Sequence, residues 1–134
     1  MSPSSPIAVS AVVLRDGAGR VLTVRKRGTT RFMFPGGKPE PGESPAQAAV
    51  REAAEEVGAV LDPASLAHLG RFTSAAANEQ GRDVVAEVFS HPGVPVGEPS
   101  AEIEELRWQD AAGPYPADLA PLLADAVLPA LARS

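Results

Sequence analysis

Residues 37–59 read GKPEPGESPAQAAVREAAEEVGA, and this stretch decides both the fold and the chemistry that we expect. The run Ser-Pro-Ala-Gln at 44–47 is typical of a helix N-terminus, with Ser as N-cap, Pro at the first helical position and Gln as the reciprocal cap. Gly58 is a natural helix stop, because glycine adopts the left-handed conformation that ends many helices. We therefore predict a helix over 45–57.

Three carboxylates lie in the last turns of this helix, at Glu52, Glu55 and Glu56. Residues three and four apart share a helix face, so the spacing predicts that the three charges point toward one place. Like charges repel one another unless a cation lies between them. Oxygen ligands suit a hard divalent ion, so the pattern predicts a site for Mg²⁺, with Mn²⁺ as a substitute.

The same stretch resembles the signature of the Nudix hydrolases, G-x5-E-x7-R-E-U-x-E-E-x-G-U, where U is a bulky aliphatic residue. All seven fixed letters are present, as Gly37, Glu43, Arg51, Glu52, Glu55, Glu56 and Gly58. The departures are Ala53 and Ala59 at two U positions, which affect helix packing more than chemistry. The resemblance implies an α/β/α sandwich, in which a mixed β-sheet lies between helices and residues 37–59 form a loop–helix–loop.

The resemblance also implies roles for the signature residues. Glu55 and Glu56 would be the main metal ligands, and Glu52 would be either a ligand or the base that takes a proton from water. Arg51 would orient a neighbouring glutamate, and Glu43 would brace the loop against the helix. The glycine loop completes the set: Gly36 and Gly37 let the backbone approach a ligand, and a carbonyl near Gly37 would join the metal shell.

A fourth carboxylate often comes from a distant loop in this family. The segment 101–108 offers Glu102, Glu104 and Glu105. We choose Glu102, because it precedes a predicted strand and would lie in a loop facing the site. The competing interpretation is an acidic surface loop.

Other residues are candidates for substrate binding. Arg25 and Arg27 share one face of a predicted strand, and Lys38 lies in the glycine loop, so all three could meet phosphates. Phe34 could stack on a base, although core packing is the favoured interpretation for it.

The remaining elements are predicted from pattern. Residues 7–15 and 21–27 should be strands joined by a hairpin turn at 16–19, with further strands near 66–74, 83–90 and 105–108. Leucines and valines at helical spacing predict a C-terminal amphipathic helix over about 116–131.

Composition limits the class of protein. With 134 residues, we expect a single domain over 1–134. The net charge of −5 argues against nonspecific binding to nucleic acid. The chain contains no cysteine, which excludes disulfides and thiolate chemistry. No apolar run has the length of a membrane span and no secretion signal is evident, so we expect a cytoplasmic enzyme. Dimers are common among Nudix proteins, so a homodimer is a further expectation from the resemblance.

The leading hypothesis is a metal-dependent hydrolase that cleaves a pyrophosphate linkage in a nucleoside diphosphate derivative. The residues that mark hydrolases of dinucleoside polyphosphates and ADP-ribose are absent near residues 74–77, which favours a nucleoside triphosphate, converted to the monophosphate and pyrophosphate. The alternatives are a Nudix hydrolase of ADP-ribose, a nucleotide sugar or a dinucleoside polyphosphate, and a catalytically silent nucleotide-binding module. An isomerase on this fold would need a cysteine.

Overall fold

The computed structural model describes residues 6–76 and 81–133, and within them the strands form two sheets. The first sheet has the order β4–β1–β6–β5, and the second has the order β3–β2–β7. Their bounds are β1 Ile7–Val13, β2 Val21–Lys26, β3 Phe32–Met33, β4 Gly36–Gly37, β5 Ala67–Ala75, β6 Asp83–Ser90 and β7 Ile103–Gln109.

The first sheet is mixed, as predicted. Strand β1 pairs in parallel with β6 and antiparallel with β4, while β5 and β6 are antiparallel. The predicted turn at 16–19 is present, because the Asp16 carboxylate accepts hydrogen bonds from the backbone N–H groups of Ala18 and Arg20. The predicted long hairpin is corrected: β1 and β2 belong to different sheets and meet at a bridge between Arg15 and Val21.

The signature helix α1 spans Pro45–Val57, which confirms the predicted bounds. Ser44 and Gln47 form a reciprocal capping box, and Gly58 ends the helix with a left-handed backbone (φ 66°). A short 3₁₀ turn, Pro63–Ser65, leads from this region into β5. The caps therefore fix where the glutamates of α1 lie along the sheet.

Alternation along β1 divides the core into two clusters. Ala11 and Val13 pack with Leu123 and other residues of the C-terminal helical segment. Val12 and Leu14 instead pack with residues of α1. Successive strand residues face opposite sides, so each face of the sheet is covered by one helix. This arrangement is the predicted α/β/α sandwich.

The C-terminal helix begins later than predicted. A π-helical segment, Leu122–Val127, continues into α2, Leu128–Arg133. Residues 118–120 are instead tied to β3, because the Phe32 N–H donates to the Asp118 carbonyl and the Phe32 carbonyl accepts from Ala120 N–H. Those bonds hold residues 118–120 against β3, where the leucine pattern predicted helix. Within the described ranges, no helix is long and apolar enough to cross a membrane.

Candidate active site

A cavity of about 600 Å³ opens where β1 and β4 meet α1 and the C-terminal segment. The charged lining residues define what we call its polar end; they are Lys26, Lys38, Glu40, Arg51, Glu52 and Glu102. The rest of the wall is largely apolar and includes Val9, Met33, Phe34, Leu122 and Leu123. The cavity therefore places charged groups beside a surface suited to an apolar or aromatic group.

The two glycines of the signature loop are required by close contacts. A Cβ added to Gly37 would lie 2.8 Å from the Cδ of Glu52, so the Glu52 carboxyl occupies the space of the missing side chain. A Cβ on Gly36 would lie 2.1 Å from the backbone oxygen of Ser10 on the neighbouring strand. Glycine at both positions thus lets α1 and β1 approach the loop directly.

Glu56 is the most unusual charged group in the site. It is 1% exposed, and its Oε1 accepts a hydrogen bond from the Gly36 N–H at 3.2 Å. Its Oε2 lies 3.3 Å from Lys26 Nζ as an ion pair, but has no hydrogen-bond partner among the described residues. Burial raises the pKa of Glu56 to about 7; the Lys26 charge opposes that rise, and the nearby Glu52 carboxyl adds to it.

Arg51 is the centre of a network of carboxylates. Its Nε and one terminal nitrogen donate to both oxygens of Glu43, at 2.8 and 2.9 Å, and its other terminal nitrogen donates to Glu52 at 2.6 Å. Glu40 also lies 3.0 Å from Nε. Hydrogen bonds from Arg51 lower the pKa of Glu43 to about 2, with help from the Glu40 N–H. Arg51 thus ties the loop residue Glu43 to Glu52 on the helix.

The structure corrects the predicted convergence of three carboxylates. Glu52 and Glu56 lie close together, although of the two only Glu52 lines the cavity. The Glu55 side chain is 60% exposed and lies 3.4 Å from Arg51. Across residues 6–76 and 81–133, no group of three or more His, Cys, Asp or Glu side chains is placed to hold one ion. The physical reason is the helix angle: neighbours in sequence differ by about 100°, so turning Glu56 into the sheet turns Glu55 outward.

Several predicted residues do line the cavity. Gly37, Lys38, Glu102 and Phe34 are all part of its wall, and Phe34 also belongs to the buried core. The other two candidates for the fourth carboxylate are paired elsewhere: Glu104 forms an ion pair with Arg27, and Glu105 with Arg25.

The predicted phosphate-binding arginines are placed differently from the expectation. Neither Arg25 nor Arg27 is among the described residues that line the cavity. Their side chains instead form ion pairs with Glu105 and Glu104 of β7. Lys26 lines it instead, and donates a hydrogen bond to the Gly36 carbonyl at 3.3 Å. The alternation of side chains along β2 could have predicted this position of Lys26. Val24 lies on the same strand face as Lys26, and it packs in the core cluster that contains residues of α1.

The residues present fit a divalent cation. The polar end offers carboxylate and carbonyl oxygens, which are the ligands that hard cations prefer. The buried Oε2 of Glu56, which lacks a hydrogen bond among the described residues, is an acceptor that a cation would satisfy.

Comparison with known proteins gives a consistent family. The family model for the NUDIX domain matches residues 4–128. In sequence, the chain is 42% identical over 59 residues to the RNA pyrophosphohydrolase of Halorhodospira halophila. That match covers 44% of this chain and 32% of that protein, so the chain spans about a third of this curated relative.

Solved structures agree in fold. The MutT NUDIX hydrolase from Burkholderia pseudomallei is 24% identical with a TM-score of 0.70, and the match covers 90% of this chain and 94% of that one. The MutT protein from Methanosarcina mazei Go1 is 25% identical with a TM-score of 0.67, and covers 87% and 90%. With its signature complete and 4–128 matched, the chain belongs to the Nudix hydrolase family. Nudix hydrolases act on pyrophosphate linkages of small nucleotide substrates and generally use divalent metals.

Proposed function

We propose that this protein hydrolyses a pyrophosphate linkage in a nucleoside diphosphate derivative, and that its substrate is a nucleoside triphosphate, oxidised bases included, released as monophosphate and pyrophosphate. The observation that carries the proposal is the buried Glu56 carboxyl, which accepts a hydrogen bond from the Gly36 N–H and pairs with Lys26, two residues that line the polar end of the cavity. A buried carboxyl with a raised pKa beside a second carboxyl is typical of a functional site.

The acidic residues are assigned to a divalent cation, Mg²⁺ with Mn²⁺ as a substitute. Glu52 and Glu56 would hold it, joined by the Gly37 carbonyl and by Glu102 from the opposite segment. Glu55 can join them through a change of side-chain rotamer. When bound, the cation would offset the charge of the phosphates and acidify a water molecule.

Glu52 and Arg51 are the proposed catalytic pair. Glu52 takes the proton from the attacking water, because it lines the cavity at the glycine loop. Arg51 holds the Glu52 carboxyl through a 2.6 Å charge-assisted hydrogen bond and thereby fixes its direction. Glu43 holds Arg51 through two parallel hydrogen bonds, so its role is structural.

The two ends of the cavity divide substrate binding between them. Lys26 and Lys38 line the polar end, where their ammonium groups can contact phosphate oxygens. Phe34, Leu122 and Leu123 line the apolar wall, where a base can pack. We leave Arg25 and Arg27 out of the proposed phosphate site, because each is paired with a glutamate of the β7 region.

A second candidate substrate is the 5′-triphosphate end of an RNA. It is favoured by the 42% identity to an RNA pyrophosphohydrolase. The net charge of −5 opposes it, because a nucleic-acid backbone is bound mainly by neutralising its phosphates. A single domain over 1–134, a homodimer and a cytoplasmic location stay predictions.

A product assay over a substrate panel tests the proposal. Nucleoside triphosphates, ADP-ribose, a nucleotide sugar, a dinucleoside polyphosphate and a 5′-triphosphate oligoribonucleotide are incubated with Mg²⁺, with Mn²⁺ and with EDTA. We expect monophosphate and pyrophosphate from nucleoside triphosphates, and no product with EDTA. Turnover of the oligoribonucleotide alone would identify the RNA 5′-triphosphate end, and not a nucleoside triphosphate, as the substrate. No turnover of any compound would favour a catalytically silent binding module.

A further inference from the structure

Two buried hydroxyl groups in the sheets differ in their partners. Thr23 on β2 is 0% exposed, and its hydroxyl donates to the Arg107 carbonyl at 2.6 Å. Ser10 on β1 is 1% exposed, and its Oγ has no hydrogen-bond partner among residues 6–76 and 81–133. A buried hydroxyl that lacks a partner is costly and needs an explanation. Ser10 also lines the cavity.

The direction of Ser10 follows from the register of β1. Val12 and Leu14 pack with α1, and the β1–β6 pairing is continuous, so Ser10 faces the same helix. Ser10 is paired with Gly37, and directly opposed residues of an antiparallel pair project to the same face. A Cβ on Gly37 would touch the Glu52 carboxyl, so the Ser10 hydroxyl lies on the face that holds this carboxylate.

Glu56 lies on the same side of the same strands. Its Oε1 accepts from the N–H of Gly36, which is paired with Ala11, the neighbour of Ser10. Its Oε2 is buried and has no hydrogen-bond partner within the described part of the chain. The Ser10 hydroxyl, which has no hydrogen-bond partner among the described residues, and the Oε2 atom of Glu56, whose one described partner is the Lys26 ion pair at 3.3 Å, therefore both lie between α1 and one strand pair.

We propose that Ser10 is a positioning residue of the cation site, whose hydroxyl donates to the Glu56 carboxylate through one bridging water molecule. The hydrogen bond fixes the plane of the carboxylate before a divalent ion binds. Partners that orient a metal ligand in this way are worth roughly ten- to hundredfold in metal affinity. The inference rests on the proposed function, because it needs a cation at Glu56.

The test measures Mn²⁺ binding to the whole chain without nucleotide, by titration calorimetry or by the EPR signal of free Mn²⁺. We expect Ser10→Ala to weaken Mn²⁺ binding roughly ten- to hundredfold, and Ser10→Thr, which keeps the hydroxyl, to restore most of the loss. KM for nucleotide at saturating Mn²⁺ should be unchanged in both variants. The urea midpoint of Ser10→Ala should stay close to that of the wild type, because the substitution breaks no direct hydrogen bond between described protein groups.

Thr23→Val is the matched control, since it removes a buried hydroxyl whose partner is a backbone carbonyl of β7. It should lower the urea midpoint and leave Mn²⁺ affinity unchanged. If the wild type binds Mn²⁺ and Ser10→Ala binds it equally well, the role of Ser10 is refuted while the proposed function stands. If the wild type binds no Mn²⁺ and turns over no nucleotide, the proposed function fails and takes this inference with it.

Discussion

Two charged clusters of this molecule are built on different principles. Between β7 and the 118–120 segment, Arg107 donates two hydrogen bonds to Asp118, at 3.0 and 2.6 Å, and its guanidinium lies 3.7 Å above the Phe32 ring. The hydrogen bonds lower the pKa of Asp118 and raise that of Arg107. Arg31 also acts on Asp118 and Glu105 also acts on Arg107, so positive and negative charges are matched there and the cluster is close to neutral.

The cluster around α1 is not balanced. Its carboxylates are Glu40, Glu43, Glu52, Glu55 and Glu56, and its cations are Arg51 and Lys26. The most deeply buried of these acids, Glu56, has an oxygen with no hydrogen bond from any described residue. Arg107 Nε shares that property, so a missing hydrogen bond does not by itself mark function. The excess of negative charge distinguishes the α1 cluster, and a cation would correct it.

The largest effect should come from Glu56→Gln, which keeps the shape of the side chain and removes its charge. We expect kcat/KM to fall by about a thousandfold or more, because several kcal/mol of transition-state stabilisation would be lost with the cation. Product release at saturating Mg²⁺ is the measurement, and the urea midpoint checks folding. Turnover near the wild-type value would refute the role given to this cluster.

Glu55→Gln sharpens the same comparison. The sequence signature predicts a loss as large as that of Glu56→Gln, whereas the exposed position of Glu55 predicts a much smaller one, about tenfold. We expect the smaller loss. Equal losses in the two variants would mean that Glu55 turns inward when the cation binds.

The pH dependence of stability follows from the burial of Glu56. Burial raises the pKa of Glu56 from 4.5 to about 7, so between these values the unfolded chain releases its proton while the folded chain keeps it. The free energy of unfolding should therefore fall as pH rises from 4.5 to 7, by about 3 kcal/mol from this group. Urea unfolding with EDTA at pH 5 and 7.5 measures it. The decrease should be smaller in Glu56→Gln, and identical pH profiles would contradict this explanation.

Arg107→Ala tests the balanced cluster. The change removes two charge-assisted hydrogen bonds and the contact with Phe32, so we expect stability to fall by about 2–3 kcal/mol. Mn²⁺ affinity should stay at the wild-type value, because Asp118 and Arg107 hold no part of the proposed cation site. A loss of Mn²⁺ affinity without a loss of stability would erase the distinction between the two clusters.

What the sequence predicted correctly was mostly local. The bounds of α1 follow from its caps, since Ser44, Gln47 and Gly58 act within one helical turn of the ends that they fix. The spacing of the fixed letters in the family signature also needs no tertiary information, and the roles that it gives Glu52 and Glu56 as metal ligands stay predictions.

What the sequence missed depends on long-range packing. The rotation of α1 against β1 and β4 determines which glutamate is buried. On β2, the register with β7 shifts between Arg25 and Lys26, and the sequence does not show this shift. Ser10 belongs to no sequence motif. The role that we propose for it follows from its pairing with Gly37 in the sheet, which the sequence alone does not show. The late start of the C-terminal helix likewise follows from the hydrogen bonds between Phe32 and the 118–120 segment.

The smallest effect should come from Glu102→Ala, at the rim of the α1 cluster. Glu102 lines the cavity but lies far from α1 in sequence, and its backbone carbonyl is held by the Arg27 N–H at 2.8 Å, so the loop should keep its path without the side chain. We expect the Mg²⁺ concentration for half-maximal rate to rise by about tenfold or less, as for a ligand that assists a site already formed by others. Glu104→Ala is the control, because its carboxylate pairs with Arg27 and should leave the titration unchanged. If Glu104→Ala shifts the Mg²⁺ titration and Glu102→Ala does not, the fourth carboxylate is Glu104, and the ion pair with Arg27 must open when the cation binds.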